Sequence, residues 1–292
     1  MKIDEEVTGP VSQTARAVAR LATSALPAAA SSLSGPIGRQ RRYTWARASL
    51  ADVETIKREL GGTVNDVVLA AISSGFRALL LSRGEQPGQH MVPSLIPVSL
   101  RAPGDENIYD NRLSVVVADL PVHLADPLER LAAARAEMSA LKAVREALAA
   151  EALITLGRFM PFPLASLMVR VAYRLPQREI VTVTTNVPGP WHPIYCAGRK
   201  LLEIIPYVPI ATSLRTGISI FSYSGQLTFG VTGDYASTPD IDVLARGIED
   251  GIGELVKAAL QPRAGDAATA PPPAPPTEGT ARRSNAVHGR RQ

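Results

Sequence analysis

Cysteine is almost absent from this 292-residue sequence, which contains only Cys196. A single cysteine excludes an internal disulfide framework and is typical of a protein in a reducing cytoplasm. No apolar run approaches the length that a membrane-spanning helix requires. The first residues include Lys2, Asp4 and Glu5, which do not resemble the flank of a secretory signal. These absences predict a soluble cytoplasmic protein, with at most peripheral contact at the inner membrane face or at lipid inclusions.

Charge is also scarce in most of the chain. The formal net charge is +4 at pH 7, but the segment 262–292 holds five arginines and only two acidic residues. The remaining body is therefore nearly neutral and lacks the basic surface that nucleic-acid binding requires. Segment 262–292 is rich in proline and alanine without hydrophobic periodicity, so we predict that it is disordered.

The sequence lacks the motifs of several common chemistries. It has no phosphate-binding glycine loop, no paired-cysteine metal site and no G-x-S-x-G nucleophile motif. We therefore predict no metal and no cofactor. Of four scattered histidines, His123 and His192 are the candidates for a catalytic base. His123 has a carboxylate nearby in Asp126, but Asp126 is better used as a helix cap. For His192 the alternative is an exposed turn residue.

Hydrophobic periodicity predicts helices that alternate with strands. The fold class is α/β, a two-layer sandwich in which helices flank a mixed sheet. We place this domain at residues 42–261, after an N-terminal helix and linker over 1–41. The predicted helices are 11–26, 50–60, 63–82, 126–150, 151–175 and 240–260, and the predicted strands are 42–47, 91–100, 112–120, 180–185, 200–207, 217–223 and 226–232.

Some of these elements carry further signals. Pro93 and Pro97 favour an edge position or a bulge for strand 91–100, whereas the β-branched run 115–117 favours a central strand. Helix 11–26 is either a connecting helix or a membrane-surface helix. The apolar positions in 164–171 fit either core packing or an acyl-chain groove.

The most informative stretch is 61–70, GGTVNDVVLA. Thr63 is a good N-cap for the helix that follows, and Asp66 is placed to close a capping box and to face the positive end of the helix dipole. These roles leave the amide of Asn65 unexplained at the start of a buried helix. Asn65 is therefore a candidate site residue.

This stretch, together with PVSLR at 97–101 and TNVPGP at 185–190, resembles the C-terminal half of the bacterial wax ester synthase/diacylglycerol acyltransferases. That family belongs to the chloramphenicol-acetyltransferase-like, CoA-dependent acyltransferases. The resemblance runs from about residue 34 to about residue 260. It implies acyl-CoA and a hydroxylated lipid, diacylglycerol or a long-chain alcohol, as substrates.

The resemblance also implies which residues form a wall of the active site. Asn65 and Asp66 match the family's Asn-Asp pair near the reaction centre. The NVPGP turn matches a rigid family turn close to the cleft, although a simple strand-ending turn explains it equally well. The turn residues concerned are Asn186, Pro188, Gly189 and Pro190.

The family's catalytic His-His-x-x-x-Asp-Gly motif does not occur in this sequence. Because that motif supplies the general base, the resemblance implies that the chain is not active alone. It then needs a separate N-terminal half or a full-length paralogue as a partner. The alternatives are a truncated paralogue that binds acyl-CoA, lipid or another protein without catalysis, and a gene fragment.

Overall fold

The structure is a computed structural model that describes residues 31–99, 113–159, 180–211 and 213–261. The predictions for 11–26, for 160–175 and for the tail from 262 lie outside these residues. The helices are α1 (Leu50–Leu60), α2 (Val64–Ser82), α3 (Pro127–Phe159) and α4 (Ile241–Leu260). The strands are β1 (Arg41–Ser49), β2 (Pro93–Ser99), β3 (Leu113–Asp119), β4 (Thr182–Val187), β5 (Tyr195–Cys196), β6 (Arg199–Lys200), β7 (Thr216–Tyr223) and β8 (Gln226–Asp234).

Six strands form one mixed sheet in the order β1-β8-β7-β4-β2-β3. Strands β7, β4 and β2 run parallel to one another, and the other neighbours are antiparallel. The β7–β8 hairpin closes at Ser224 and Gly225, which both have positive φ, as a two-residue hairpin turn requires. Alternate residues of the strands join the buried residues of the helices in one hydrophobic core, so the helices cover one face. The predicted two-layer α/β fold with a mixed sheet is confirmed.

Helix α2 lies at the centre of this core. Val67, Phe76 and Leu80 are fully buried, and so is most of the rest of the helix. Although we predicted no apolar run of spanning length, α2 is long and apolar enough to cross a membrane. Of the apolar window of this helix, 72% is buried inside the protein. A long apolar helix is also what the core of a protein requires.

Glycines allow α2 to pack closely against α4. A Cβ at Gly75 would lie 2.6 Å from the carbonyl oxygen of Leu244, and a Cβ at Gly247 would lie 2.8 Å from the Cα of Gly75. A Cβ at Gly251 would similarly crowd Ser74 of α2. The two backbones therefore approach to a distance that larger residues would prevent, and this contact fixes the position of α2 in the core.

The prediction of a strand over residues 200–207 is wrong beyond Lys200, where β6 ends. Residues 201–210 are irregular and cross the sheet face opposite the helices. The Tyr43 hydroxyl donates to the Pro206 carbonyl (2.6 Å), and the Arg47 guanidinium donates to the Glu203 carboxylate (2.7 Å). The latter bond holds the pKa of Glu203 below its ordinary value. Polar groups of this segment are thus paired with side chains of β1 instead of with a neighbouring strand.

Strand β2 is not at an edge, although its two prolines favoured either an edge position or a bulge. It lies between β4 and β3, and the Val181 N–H donates to the Pro93 carbonyl, so Pro93 faces β4. Pro97 faces the same way, because residues four apart along a strand point their backbone groups to one side. The β2–β4 pairing ends at Leu95 and Val183, before Pro97 would need an N–H. We call the separation of β2 from β4 beyond this point the fork.

Strand β3 is the last strand in the sheet order of the described residues, whereas its β-branched run predicted a central one. Ala118 is buried on the helix face. Val115 and Val117 are 52% and 40% exposed on the other face. The β-branched residues therefore reflect strand propensity and not burial on both faces.

The remaining helix predictions are close to the structure. Helices α1 and α4 occupy the predicted ranges. Asp126 caps α3 by accepting from the N–H groups of Leu128 and Glu129, both at 2.9 Å. Helix α3 continues to Phe159, so the segment 151–159 prolongs it and does not begin a second helix.

The glycine contact between α2 and α4 yields a matched prediction. Gly75→Ala should lower the free energy of unfolding by about 1–3 kcal/mol, because its Cβ meets the backbone of α4. Gly253→Ala makes the same change on α4 at a position with nothing within 4 Å. It should raise the free energy of unfolding by up to about 1 kcal/mol, since alanine favours helix. Urea denaturation of both variants measures the difference, and equal stabilities would contradict the packing described.

Candidate active site

A pocket of about 360 Å³ lies where α2 begins, close to the carboxyl end of β2. The start of α2, the helix-side face of β2 and β3, and the middle of α3 enclose it. Its lining residues are Thr63, Asn65, Asp66, Val98, Val116, Met138, Ser139, Leu141 and Lys142. The pocket therefore has an apolar wall of valine, methionine and leucine side chains and a polar edge.

Asp66 holds the first turn of α2 in place. Its carboxylate accepts from the Thr63 N–H (2.8 Å) and from the Thr63 hydroxyl (2.9 Å), and the Thr63 hydroxyl in turn accepts from the Asp66 N–H (3.2 Å). This is the predicted capping box. Asp66 is only 5% exposed, so its carboxylate is committed to the helix start and is poorly placed to accept a proton from a substrate.

Asn65 occupies the second position of α2, between the capping residues. It is half-buried and lines the pocket. The capping box does not involve its side chain, so the amide is positioned by the helix and contributes to the pocket edge. Asn65 is the sequence-predicted residue that the structure places most directly in the pocket.

The apolar wall of the pocket cannot be predicted from local sequence patterns. Met138 and Leu141 belong to the apolar residues of α3, where periodicity predicts core positions. Val98 of β2 and Val116 of β3 lie on neighbouring, paired strands, and both are on the face of the sheet that the helices cover. No local signal brings β2, β3 and α3 to the start of α2, since that juxtaposition depends on strand pairing far apart in sequence.

The NVPGP turn lies at the same edge of the sheet as the pocket, because the carboxyl ends of the parallel strands β2, β4 and β7 meet there. Asn186 is the penultimate residue of β4 and is half-buried opposite Ile220. None of the four turn residues lines the pocket. The fork lies between the ends of β2 and β4 and separates the two candidate regions.

The turn itself is held against the end of β7. The Gly189 N–H donates to the Ser222 hydroxyl (3.0 Å), and the Ser224 N–H donates to the Pro190 carbonyl (3.1 Å). A Cβ at Gly189 would overlap the Ser222 carbonyl oxygen, so only glycine permits this approach. Pro188 is exposed. Packing thus accounts for Gly189, and a site role for the turn remains a prediction.

The structure does not bring the two candidate histidines to the pocket. The His123 carbonyl accepts from Arg77 (3.2 Å), which lies twelve residues after Asn65 on α2, roughly 18 Å along the helix axis. His192 is exposed just beyond the NVPGP turn. Within the described ranges, no three His, Cys, Asp or Glu side chains are grouped closely enough to hold a metal ion.

This two-layer arrangement is also found in a solved structure. The structure of the wax ester synthase/diacylglycerol acyltransferase from Marinobacter aquaeolei VT8 superposes with a TM-score of 0.61 at 22% sequence identity. The match covers 88% of this chain and 58% of the Marinobacter chain. At that identity the comparison establishes the fold.

Sequence comparison identifies the family. The model of the WS/DGAT C-terminal domain matches residues 109–256, and the model of the wax ester synthase/diacylglycerol acyltransferase catalytic domain matches residues 1–68. The chain belongs to the wax ester synthase/diacylglycerol acyltransferase family. The match extends farther toward the N-terminus than residue 34, and it places Asn65 and Asp66 in the catalytic-domain part.

Two relatives come from Mycobacterium tuberculosis H37Rv. The probable diacylglycerol O-acyltransferase tgs1 is 40% identical over 250 residues, which cover 86% of this chain and 54% of tgs1. The putative diacylglycerol O-acyltransferase Rv3371 is 34% identical over 230 residues, which cover 78% of this chain and 47% of the relative. The chain therefore spans about half the length of the relatives it matches.

The capping box predicts that neighbouring residues affect stability differently. Asp66→Ala should lower the free energy of unfolding by about 1–2 kcal/mol, because it removes the acceptor of the Thr63 N–H and hydroxyl and opens the capping box. Asn65→Ala removes no capping bond and should change it by less than about 0.5 kcal/mol. Urea denaturation followed by circular dichroism measures both. A loss of similar size in Asn65→Ala would show that Asn65 is needed for folding.

Proposed function

We propose that this chain forms one wall of the active site of an acyl-CoA-dependent O-acyltransferase. The acyl acceptor is a hydroxylated lipid, diacylglycerol or a long-chain alcohol. The observation that carries the proposal is the pocket at the start of α2, where Asn65 lies beside an apolar wall in a chain of this family. Two M. tuberculosis relatives bear the name diacylglycerol O-acyltransferase, which supports the acceptor class.

The pocket chemistry suits an acyl thioester. Val98, Val116 and Met138 offer apolar surface to methylene groups, and each methylene removed from water contributes about 0.8 kcal/mol. Asn65 at the polar edge carries an amide N–H that can donate to a thioester carbonyl. A donor aimed at the oxygen that gains negative charge in the transition state is worth about 3 kcal/mol in comparable sites.

The reaction transfers an acyl group from sulfur to oxygen. The acceptor hydroxyl oxygen forms a bond to the thioester carbon as its proton passes to a general base, and the C–S bond breaks as the CoA thiolate leaves. The base then returns the proton to the thiolate. Asn65 stabilises the carbonyl oxygen during this step, and Asp66 acts as a positioning residue by fixing the helix turn that carries Asn65.

The general base comes from outside this chain. Neither His123 nor His192 lies in the pocket, and the family motif His-His-x-x-x-Asp-Gly does not occur in the sequence. General-base catalysis contributes typically about 10²–10⁴-fold to a rate. A partner that carries the motif, either a separate N-terminal half or a full-length relative, therefore completes the site.

Ester formation tests this proposal directly. The purified chain should form negligible triacylglycerol from radiolabelled palmitoyl-CoA and diacylglycerol. It should form product when mixed with the N-terminal half of a family member that carries the His-His-x-x-x-Asp-Gly motif. No product in the mixture would overturn the proposal. Full activity of the chain alone would place the base on this chain, with His123 and His192 the first residues to replace.

In the active mixture, Asn65→Ala should lower acyl transfer at least tenfold, because one donor to the carbonyl oxygen is lost. Gln40→Ala is a matched control, since it removes an exposed amide beside the end of β8, at the sheet edge opposite the one where the pocket lies. The control should retain wild-type turnover. Wild-type turnover by Asn65→Ala as well would contradict the assignment of Asn65 to the site.

A further inference from the structure

Strand β1 ends the sheet on the side away from β8, within the part of the chain that the structure describes. It pairs with β8 over all nine of its residues in one unbroken register. We call the other side of β1 the open edge. Natural sheets usually shorten, bulge or cover such an edge, because its backbone groups can bond to a strand of another chain. A regular edge strand longer than the usual length of about five or six residues therefore indicates a place for strand addition.

The register shows which residues of β1 turn their backbone groups to the open edge. The Arg47 N–H donates to the Glu249 carboxylate of α4 (2.9 Å), so Arg47 faces away from β8. Because the direction of the backbone groups alternates along a strand, Tyr43 and Trp45 also turn their N–H and C=O groups outward, and the even-numbered residues bond to β8. The bond to Glu249 occupies the last of these N–H groups. Residues 41–45 are therefore the part of the open edge that can pair with another strand.

The side chains along this part of the open edge are aromatic and exposed. Tyr43 and Trp45 are 38% and 40% exposed on the sheet face away from the helices. Their ring centroids lie 6.4 Å apart, and the ring of Tyr207 packs edge-on against Tyr43 at 5.8 Å. Because these rings already contact one another, a partner would lose little free energy in ordering them. Tyrosine and tryptophan are also the residue types that most often anchor protein interfaces.

Charge is divided between the two ends of the open edge. The amino-terminal end carries three arginines, one of which contacts the Asp234 carboxylate at 3.7 Å. These arginines are Arg39, Arg41 and Arg42. At the carboxyl-terminal end, the carboxylates of Glu203 and Glu249 both bond to Arg47. One end therefore has an excess of positive charge and the other an excess of negative charge, so an antiparallel copy of the same strand brings opposite charges together at both ends.

We infer that the open edge binds the open edge of a second copy of this chain, so that the two sheets continue as one. Such a contact is two-fold symmetric, and the two β1 strands are antiparallel. With the symmetry axis at Tyr43, Arg41 of each copy lies opposite Trp45 of the other, which pairs a cation with an aromatic ring and leaves Arg47 bonded to Glu249. The inference does not depend on the proposed function, because β1 and the pocket-lining strands β2 and β3 lie at opposite ends of the sheet order.

Sedimentation equilibrium of the purified chain over a concentration series tests the inference, and wild type should form a dimer. Trp45→Pro removes an outward N–H and no bond to β8, so the dimer loses two hydrogen bonds by symmetry. Its dissociation constant should be at least tenfold higher than that of Trp45→Ala, the matched control that loses the same ring and keeps the N–H. The two variants should have the same thermal midpoint. A monomeric wild type, or equal dissociation constants for the two variants, would overturn the inference.

Disulfide cross-linking provides a second readout that does not depend on the proline variant. In a Cys196→Ser background, Arg42→Cys of one copy and Thr44→Cys of the other lie opposite each other in the inferred pairing. Their Cα atoms should be about 4.5 Å apart, which is within the reach of a disulfide. A mixture of the two variants should therefore form a mixed disulfide dimer, at least tenfold faster than either variant cross-links alone. Equal cross-linking in all three samples would overturn the inference.

Discussion

The close approach of α2 to α4 is the contact on which the rest of the structure depends. Glycines at the crossing remove the side chains that would hold the backbones apart, and the apolar residues around them then fill the core between helices and sheet. Because α2 is fixed along its length, its first turn reaches the sheet edge at a defined place. The capping box determines where that turn begins, and Asn65, the second residue of the helix, is thereby brought to the pocket.

Local rules predicted most elements of the fold, because the forces that set them are local. Thr63 and Asp66 define the start of α2, Asp126 defines the start of α3, and apolar periodicity gives α1 and α4 their ranges. The errors occur where neighbours far away in sequence decide the outcome. Pro97 indicated an edge strand, but an interior strand tolerates it because β4 has already separated. Segment 201–210 has the composition of a strand, but polar groups of this segment are bonded to the side chains of Tyr43 and Arg47 instead of to a neighbouring strand.

The candidate site also contains one residue that local rules select and others that only the packing of distant segments brings together. Asn65 could be selected from sequence because it was the polar residue that capping left unexplained. The apolar wall could not, since Val98, Val116 and Met138 look like ordinary core residues until β2, β3 and α3 are placed together. Asp66 illustrates the opposite case: it was also selected from sequence and lines the pocket, but its carboxylate is bonded to the start of the helix. A motif therefore identifies a region, and hydrogen-bond geometry decides which of its residues contacts a ligand.

The fork has a mechanical consequence. Strands β1, β8, β7 and β4 form one continuously bonded block, whereas β2 and β3 form a second block that is joined to the first at only two residue pairs. Beside these pairs, the Ser94 hydroxyl donates to the Thr184 hydroxyl (2.9 Å) across the same junction. Val98 and Val116 belong to the smaller block, and Asn65 belongs to the helix anchored on the larger one. The width of the pocket is thus the distance between two blocks that the shared core holds together: Ile96 and Ala118 of the smaller block are buried in the same core as α2, so a wider pocket would cost packing in that core.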